Sequence, residues 1–496
     1  MVTTGTGLLV RPLPQVPRRA DGRVDLDRVA LALAPLLGAP APMLESAPDV
    51  PATGDTSWVI AGVAGRLLHR DGRTEAAGAL GRLLDGDADT LDPFAALDLA
   101  GERTGCTPDA ERLPAPAAAV GLVGAIAYEA ARHVERLGRA PASGLDLDLV
   151  LADVLVAVDH RDEHALLVHV PLAGPRRPTD LDAVEAAVAH APDLPPLPRR
   201  AGGPARATTS LDPAAHRAAL GRVLEHVAAG DTFQVNLTMQ VAAPFAGDVH
   251  ALYRAMRGRS PAPYGAVLWD AAGAGIASIS PETFLLARGR QLTTRPIKGT
   301  RRRDADPVRD AALRDDLVAS EKDRAENVMV VDMERNDLGR VCVPGSVRVP
   351  RLLEVEAHPT VWHLVSEVTG VLRDGVGWGR LLAATFPCGS VTGTPKVEAM
   401  RVIERLEPVP RGWYCGAIGA FGPGAATTAV AIRTATLSPD GVATYGTGGG
   451  IVADSDPDAE HAEALAKAAA FLQAVDAELD AAPAPRGRDR AEGVTP

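Results

Sequence analysis

The sequence predicts an α+β fold, with strands and helices interleaved too irregularly for a doubly wound parallel sheet. Short apolar runs at 145–160 and 163–172, separated by aspartate and histidine, indicate a pair of antiparallel strands. The segments 213–230 and 456–477 have the apolar spacing and end signals of helices. Because strand pairs and helices both occur along the chain without a regular βαβ order, a mixed architecture follows.

The domain organisation is predicted from one stretch of unusual composition. Residues 192–210 combine proline, glycine and arginine without periodicity, which indicates a linker. We therefore predict an N-terminal lobe over 1–205 and a catalytic domain over 206–480. The remaining segment, 481–496, is rich in alanine, proline and arginine and is predicted to be disordered.

The first elements of the C-terminal half carry clear local signals. Asp212 followed by Pro213 is typical of a helix start, and Gly230 is typical of a helix end. The apolar stretches at 233–241 and 266–270 then predict strands.

Further along, residues 277–303 predict two strands joined through Gly289. Charges at helical spacing over 314–335 predict one long amphipathic helix. The apolar positions of this helix are Val328, Val331 and Met333. The last helix, 456–477, has Pro457 in its first turn.

Composition excludes several classes of protein. Of the 496 residues 46% are hydrophobic, which excludes a disordered chain, and the net charge of −12 argues against binding nucleic acid or an anionic membrane surface. The longest apolar segment, 114–128, is too short to span a bilayer and is interrupted by glycine. Four scattered cysteines, without a CxxC pair or a Cys/His cluster at zinc spacing, lead us to expect a cytoplasmic protein.

Two acidic pairs are candidate metal ligands. Asp323 and Glu326 lie three residues apart on one predicted helix, and Glu460 and Glu463 do so on another. If the two faces converge, their oxygens suit Mg²⁺. Acidic helix faces are common, so the spacing alone favours the alternative of two solvated faces.

Two glycine-rich segments are candidate anion sites. Residues 445–455 contain consecutive glycines whose backbone N–H groups can approach a carboxylate or phosphate, although a tight turn explains the same pattern. Residues 386–400 place glycines and hydroxyls before a helix that begins at Pro395, and a turn with a helix cap is the alternative there.

Three single residues stand out as candidate catalytic groups. Only four basic residues are lysine rather than arginine, and Lys298 is followed by three arginines, whose charge would favour a neutral, nucleophilic amine. Glu282 could act as a general acid if it is desolvated. His363 lies in an apolar stretch. The alternatives are a surface lysine in a basic turn, an exposed strand glutamate and a core histidine.

Together these segments resemble the chorismate-utilising enzymes, which include anthranilate, aminodeoxychorismate, isochorismate and salicylate synthases. The resemblance covers most of 212–475 and extends thinly to 43–46 and 121–137. The matching stretches of the C-terminal half are SPETFL, PIKGTRRR, ENVMVVDMERNDLGRV, HLVSEVTG, FPCGSVTGTPKVEAM, RGWYCGAIGAF and GGGIVADSDPDAEHAE.

The resemblance implies a two-lobed fold with an antiparallel β-sandwich core and helices packed outside. It implies that Mg²⁺ bridges the enzyme and the ring carboxylate of chorismate through Glu326 and Glu463. Asp323 and Glu460 lie beside these ligands, and Asp323 stands where the family more often has glutamate.

The resemblance also assigns roles to the other candidates. Glu282 corresponds to the general acid that protonates the departing ring hydroxyl, and His363 lines the same pocket. The positions that correspond to substrate-binding residues are Ser390, Tyr414, Arg433, Gly448, Gly449, Gly450 and Lys467. A possible site for an effector such as tryptophan comprises Leu44, Glu45 and Ser46.

Two positions distinguish among the family's activities. Family members that add water carry a lysine base where this chain has Gln234, and glutamine cannot accept that proton. Lys298, in PIKGT, matches the members that aminate chorismate to 4-amino-4-deoxychorismate, whereas anthranilate synthases normally have alanine there. The alternatives are anthranilate formation with release of pyruvate and a non-catalytic, effector-binding subunit.

The source of ammonia is also predicted. The chain lacks a GxCxG-type glutaminase elbow, since Cys388 lies in PCG and Cys415 in YCG. We therefore expect a separate glutamine amidotransferase subunit as the partner that supplies ammonia.

Overall fold

The structure is a computed structural model that describes residues 2–3, 8–46, 55–114, 117–137, 144–171, 179–199 and 203–479. The segment 481–496, for which disorder is predicted, lies outside the described residues.

The elements are numbered in chain order. The strands are β1 (Val2–Thr3), β2 (Leu9–Pro12), β3 (Met43–Ser46), β4 (Thr56–Arg70), β5 (Arg73–Ala77), β6 (Gly121–Ile126), β7 (Leu145–Asp159), β8 (His164–His169), β9 (Ala205–Thr209), β10 (Gln234–Pro244), β11 (Tyr264–Trp269), β12 (Gly275–Ser280), β13 (Thr283–Arg288), β14 (Gln291–Arg295), β15 (Ile297–Arg302), β16 (Arg348–Ala357), β17 (Val361–Val371), β18 (Gly393–Thr394), β19 (Ala417–Gly422), β20 (Ala425–Val430), β21 (Thr434–Leu437), β22 (Val442–Ile451) and β23 (Ala477–Leu479). The α-helices are α1 (Leu26–Ala32), α2 (Ala34–Leu37), α3 (Gly78–Leu84), α4 (Pro93–Thr104), α5 (Leu181–Ala189), α6 (Pro213–Ala228), α7 (Val249–Arg257), α8 (Pro307–Ala319), α9 (Glu321–Gly339), α10 (Trp378–Thr385), α11 (Lys396–Leu406) and α12 (Pro457–Ala474). Two 3₁₀ helices span Tyr128–His133 and Gly389–Val391.

The α+β prediction is confirmed. Every pairing between described strands is antiparallel except that of β9 with β23. The predicted strand pair at 145–172 is present as β7 and β8. Strands from the first 205 residues join strands of the C-terminal half at two places, β3 with β11 and β6 with β19.

A long ribbon formed by β4 and β7 connects two hydrophobic cores. Leu67 of β4, opposite Leu149 of β7, belongs to a core that α4, α10 and α11 also line. Val59, opposite Val156, belongs to the other core, which α1, α7 and α12 line. The β4 and β7 ribbon therefore contributes side chains to one core at one end and to the other core at its opposite end.

Helices α6 and α12 begin where the sequence predicts. Asp212 accepts a hydrogen bond from Ala215 N at the start of α6, and Asp456 accepts bonds from Asp458 N and Ala459 N at the start of α12. Each cap satisfies backbone donors that have no partner inside the helix. Helix α12 packs on α6 and along β22.

Two predictions between 277 and 335 are wrong in detail. Residues 277–303 lie in four strands, β12 to β15, and Gly289 makes only the turn between β13 and β14. The single long helix is interrupted at Ser320, whose hydroxyl accepts a bond from Asp323 N and caps α9. Val328 is 44% exposed, so it lies outside the apolar face to which Val331 contributes.

Two segments predicted as irregular contain strands. Residues 205–209, at the end of the predicted linker, form β9, which pairs with β10 and with β23. The glycines of 445–455 lie largely in β22 rather than in a tight turn, and Gly448 is paired with Thr238. The packing of β22 against β10 overrides the weak strand propensity of glycine.

Within the described ranges, no helix is long and apolar enough to cross a membrane. All four cysteines are free and buried.

Candidate active site

The amine of Lys298 points into the protein. Lys298 lies on β15, and its Nζ donates a hydrogen bond to the carbonyl oxygen of Ser390 at 3.1 Å. Its charge acts on the carboxyl groups of Glu282 and Glu326, where it opposes the effect of burial on their pKa. The surface-lysine alternative is therefore excluded.

The arginines that follow Lys298 are directed elsewhere. Arg301 pairs with Asp316 on α8 and with Asp323 on α9, and Arg303 pairs with Asp310. These two guanidinium groups are therefore paired with aspartates, whereas the charge of Lys298 acts on the carboxyl groups of Glu282 and Glu326.

Glu282 is a buried acid beside this amine. It follows β12, is only 4% exposed, and has an Oε1 atom without a hydrogen-bond partner. Burial raises its pKa above the ordinary value, while Lys298 and a hydrogen bond with Ser390 act in the opposite direction. A protonated carboxyl group with a free oxygen can donate to a leaving group, so the exposed-glutamate alternative is excluded.

Carboxylates from α9 and α12 converge around the ammonium group of Lys322. The Nζ of Lys322 lies 3.9 Å from an oxygen of Glu326 and 3.9 Å from an oxygen of Glu460. Burial raises the pKa of Glu326, and the neighbouring charges of Asp323 and Glu460 contribute to the increase. The two acidic faces thus meet, as the convergent interpretation requires, rather than lying separately in solvent.

The other two acids are paired with basic side chains. Glu463 lies 2.8 Å from Lys467, and although partial burial opposes ionisation, Lys467 holds the pKa of Glu463 below its ordinary value. Asp323 lies 3.1 Å from Arg301. The structure therefore brings Glu326 and Glu460 together, with Glu463 one helical turn further along α12 and Asp323 turned towards β15.

This set of donors fits a magnesium ion. Glu326 and Glu460 each place a carboxylate oxygen, which is a hard ligand, beside the same ammonium group. The Nζ atom of Lys322 lies 3.9 Å from each of these oxygens, which is longer than a hydrogen bond. Mg²⁺ prefers one or two protein carboxylates completed by water and a substrate anion. Two converging carboxylates match that preference.

The glycines of β22 form a surface without side chains beside these acids. A Cβ atom at Gly449 would lie 3.1 Å from Glu460 Oε2 and 3.8 Å from Lys467 Nζ. Lys467 Nζ also donates to the carbonyl oxygen of Gly448 at 2.9 Å. Beyond Tyr445, the edge of β22 opposite β10 has no strand partner among the described residues, so amides on that edge can receive an anion.

The side chains of Gln234 and Tyr414 occupy positions that a Cβ atom on β22 would overlap. A Cβ at Gly450 would lie 2.1 Å from Nε2 of the buried Gln234, and a Cβ at Gly446 would lie 2.1 Å from the ring of Tyr414. Gln234 and Tyr414 are therefore positioned directly against the glycine strand.

His363 and Arg433 lie on the wall of a cavity of ≈ 270 Å³. The Nδ1 of His363 is 2.9 Å from the hydroxyl of Thr300, on the strand that carries Lys298. Burial lowers the pKa of His363 to about 3, so the ring is neutral. The guanidinium of Arg433 lies 3.4 Å from Ser260 Oγ.

The predicted effector segment, β3, contributes to the same cavity through Glu45 and Ser46, whereas Leu44 packs against hydrophobic side chains. Glu45 is paired with Arg257 and accepts a hydrogen bond from the hydroxyl of Tyr253. Burial opposes its ionisation, but Arg257 and Arg19 hold the pKa of Glu45 below its ordinary value. Effector binding here stays a prediction.

The sequence interpretation missed a second layer of polar groups. Beneath Ser390, Glu334 accepts hydrogen bonds from Cys388 Sγ and from Gly389 N, and Lys396 pairs with Asp337. Lys322 and Lys396 are two of the four lysines in the sequence, but only the fold shows which carboxylates they reach.

Comparisons with known proteins bear on the family to which the chain belongs. Residues 44–473 match the family described as chorismate binding enzyme. The chain is 42% identical to anthranilate synthase component 1 of Streptomyces coelicolor over 373 residues, which cover 72% of each protein. It is 34% identical to aminodeoxychorismate synthase component 1 of Bacillus subtilis, over 72% of this chain and 77% of that protein. Anthranilate synthase component I from Streptococcus pneumoniae superposes with a TM-score of 0.72 at 27% identity, over 85% of this chain and 93% of that one.

Proposed function

Because the chain belongs to the chorismate binding enzyme family, we propose that it is an aminodeoxychorismate synthase component I. It converts chorismate and ammonia to 4-amino-4-deoxychorismate and water, without release of pyruvate. The observation that supports this choice is Lys298, whose amine is directed between a buried acid and the converging carboxylates. A lysine in that place provides an enzyme-bound nucleophile.

In the proposed first step, the Lys298 nitrogen forms a bond to the ring of chorismate as the ring C–O bond breaks. Glu282 gives its proton to the departing oxygen, which leaves as water, because hydroxide is a poor leaving group. Burial keeps Glu282 protonated to higher pH than an exposed glutamate. The lysine must itself lose a proton to attack, and the surrounding carboxylates are the acceptors within reach.

In the second step, ammonia forms a bond to the ring carbon that carried the hydroxyl, and the bond to Lys298 breaks. The amine of Lys298 is regenerated. The enzyme-bound nucleophile acts at an effective concentration that a dissolved amine cannot match.

Glu326 and Glu460 are the residues that we propose hold Mg²⁺, with Glu463 available when Lys467 turns to the substrate. When bound, Mg²⁺ would neutralise the ring carboxylate of chorismate and join it to the enzyme. Lys322 and Lys467 provide positive charge at the same place.

The other end of the substrate site is built from β22. We propose that amides of Gly448–Gly450 receive a substrate carboxylate, with Tyr414, Arg433 and Lys467 as side-chain partners. The glycines are required because a Cβ at Gly449 would approach Glu460, and one at Gly450 would overlap Gln234.

We propose that ammonia is supplied by a separate glutamine amidotransferase subunit in the cytoplasm. All four cysteines of the chain are buried, so none of them is presented as a glutaminase nucleophile would be. Dissolved ammonium is expected to substitute at high concentration.

Product analysis tests the proposal. The purified chain is incubated with chorismate, Mg²⁺ and ammonium, with and without added aminodeoxychorismate lyase. We expect 4-aminobenzoate only when the lyase is present. Fluorescent anthranilate together with pyruvate, formed without the lyase, would identify the second candidate, anthranilate synthase component I, which the 42% identical Streptomyces coelicolor relative favours.

A further inference from the structure

Three side chains outside the proposed active site meet at one end of the β4 and β7 ribbon. His69 lies near the end of β4, Asp146 near the start of β7, and His133 at the end of the 3₁₀ helix Tyr128–His133. His69 Nδ1 and His133 Nε2 each lie 3.0 Å from the same oxygen, Oδ2 of Asp146.

The spacing of these atoms is close to that of a metal centre. A tetrahedral zinc ion with bonds of about 2.0–2.1 Å holds its ligand atoms about 3.3 Å apart. The two N···O distances of 3.0 Å are about 0.3 Å shorter than that spacing, and all three atoms lie within 4.8 Å of one another, so side-chain rotations that equalise the three distances would admit the ion. Elsewhere in the described ranges, no other group of three histidine, cysteine, aspartate or glutamate residues comes this close together.

The surroundings also favour a cation. His69 is 1% exposed and Asp146 is 8% exposed, so water competes weakly for the ligand atoms. The two rings are nearly perpendicular, at 84°, so each directs a different nitrogen to the shared oxygen without stacking.

Two imidazoles and one carboxylate are a ligand set that suits zinc and disfavours magnesium, which prefers oxygen ligands throughout. We propose that His69, His133 and Asp146 bind one Zn²⁺ ion, with water as the remaining ligand, at a site separate from the magnesium-binding carboxylates.

The position of the site suggests a structural role. The same 3₁₀ helix carries Glu129, whose carboxylate accepts hydrogen bonds from Arg411 N at 2.8 Å and Gly412 N at 2.9 Å. That segment leads directly to Tyr414. An ion at His133 would therefore attach the N-terminal ribbon to the chain that positions a wall of the proposed active site.

A metal-free arrangement is the competing explanation, in which the carboxylate only accepts N–H bonds from both histidines. The two explanations differ in their response to zinc, which displaces protons only if the nitrogens become ligands. The test uses the full chain after treatment with a chelator, titrated with ZnCl₂ in a calorimeter and with Co²⁺ as a spectroscopic substitute.

We expect one Zn²⁺ per chain, a visible Co²⁺ absorption typical of tetrahedral coordination, and a rise in the unfolding temperature with zinc that folded His133→Gln does not show. His133→Gln and Asp146→Asn should each weaken zinc binding by about tenfold to hundredfold or more. His164→Gln is the matched control, because the side chain of that histidine is 71% exposed and pairs with Asp162, away from the proposed ligands.

Circular dichroism checks that each variant is folded. If His69→Gln does not fold, the half-buried His133 provides the decisive variant. The absence of stoichiometric zinc binding by the parent, or equal zinc affinity in the parent and in folded His133→Gln, would overturn the proposal. Neither result bears on the amination of chorismate, which product analysis tests separately.

Discussion

The Nζ atom of Lys298 donates a hydrogen bond to the carbonyl oxygen of Ser390 over 3.1 Å. Ser390 lies in a short 3₁₀ helix and is 6% exposed, so its carbonyl has a fixed direction. A carbonyl accepts a bond from a neutral amine as well as from an ammonium group. The contact can therefore hold the amine in place while its lone pair is directed to a substrate.

Replacement of Lys298 should separate covalent chemistry from binding. We expect Lys298→Ala to lower kcat for aminodeoxychorismate by about a hundredfold or more, while the Kd for chorismate changes only a few-fold. Lys298→Arg retains a cation and a donor but cannot attack, so it should be equally inactive. Lyase-coupled kinetics and chorismate binding measure both effects. Near-normal turnover in either variant would eliminate the nucleophile assignment.

Glu282 should control the alkaline side of the pH profile. A general acid works in its protonated form, and burial raises the pKa of Glu282, so kcat should fall as pH increases through that raised value. Glu282→Gln should lower kcat by about 10²-fold to 10⁴-fold and remove this decline. Glu354→Gln, at a 47% exposed strand position, is the control. If the Glu282→Gln variant keeps the parent's pH profile, another group donates the proton.

The converging carboxylates should determine the magnesium requirement. Glu326→Gln and Glu460→Gln are each expected to raise the Mg²⁺ concentration for half-maximal activity by about tenfold or more, because each removes an anionic ligand. Glu463→Gln should have a smaller effect, since Lys467 already occupies that carboxylate.

Lys322→Met should change the magnesium requirement in the opposite direction from the glutamate variants. Removing an ammonium group 3.9 Å from both carboxylates should lower the Mg²⁺ requirement. A magnesium titration of the four variants is sufficient. Parent-like curves for Glu326→Gln and Glu460→Gln would show that neither residue is a ligand.

A methyl group on the glycine strand should obstruct substrate without unfolding the protein. In Gly449→Ala the new Cβ meets the flexible end of Glu460 at 3.1 Å, so the fold should tolerate it while the KM for chorismate rises about tenfold. Gly221→Ala, on α6 with no atom within 4 Å of the new Cβ, is the control and should stabilise the helix by up to about 1 kcal/mol. Equal KM values in the two variants would remove Gly449 from the substrate site.

Much of the secondary structure followed from local signals. The aspartate–proline starts of α6 and α12 were predictable, because the cap and the first helical residue are adjacent in sequence. The interruption at Ser320 was not, since a serine amid charged residues also suits an exposed helical position. The strand containing Gly448 was missed because its stability comes from β10, more than 200 positions earlier in the sequence.

The candidate site was predictable as a set of residue types but not as an arrangement. Spacing placed Glu460 and Glu463 on one helical face, yet only the fold shows that Glu460 meets Glu326 while Glu463 pairs with Lys467. The ion-pair partners of Arg301 could not be predicted either, because they lie on two other elements, α8 and α9. Likewise, the separation of His69 and His133 along the sequence does not indicate that both side chains contact Asp146.

The two ladders that join β3 to β11 and β6 to β19 have a practical consequence for fragment studies. Production of residues 206–480 alone would leave β11 and β19 each with an uncovered edge of unpaired N–H and C=O groups. Such edges recruit other chains, so the shortened product should aggregate in the expression host. Supplying residues 1–205 in trans, on a second plasmid, would be the appropriate rescue.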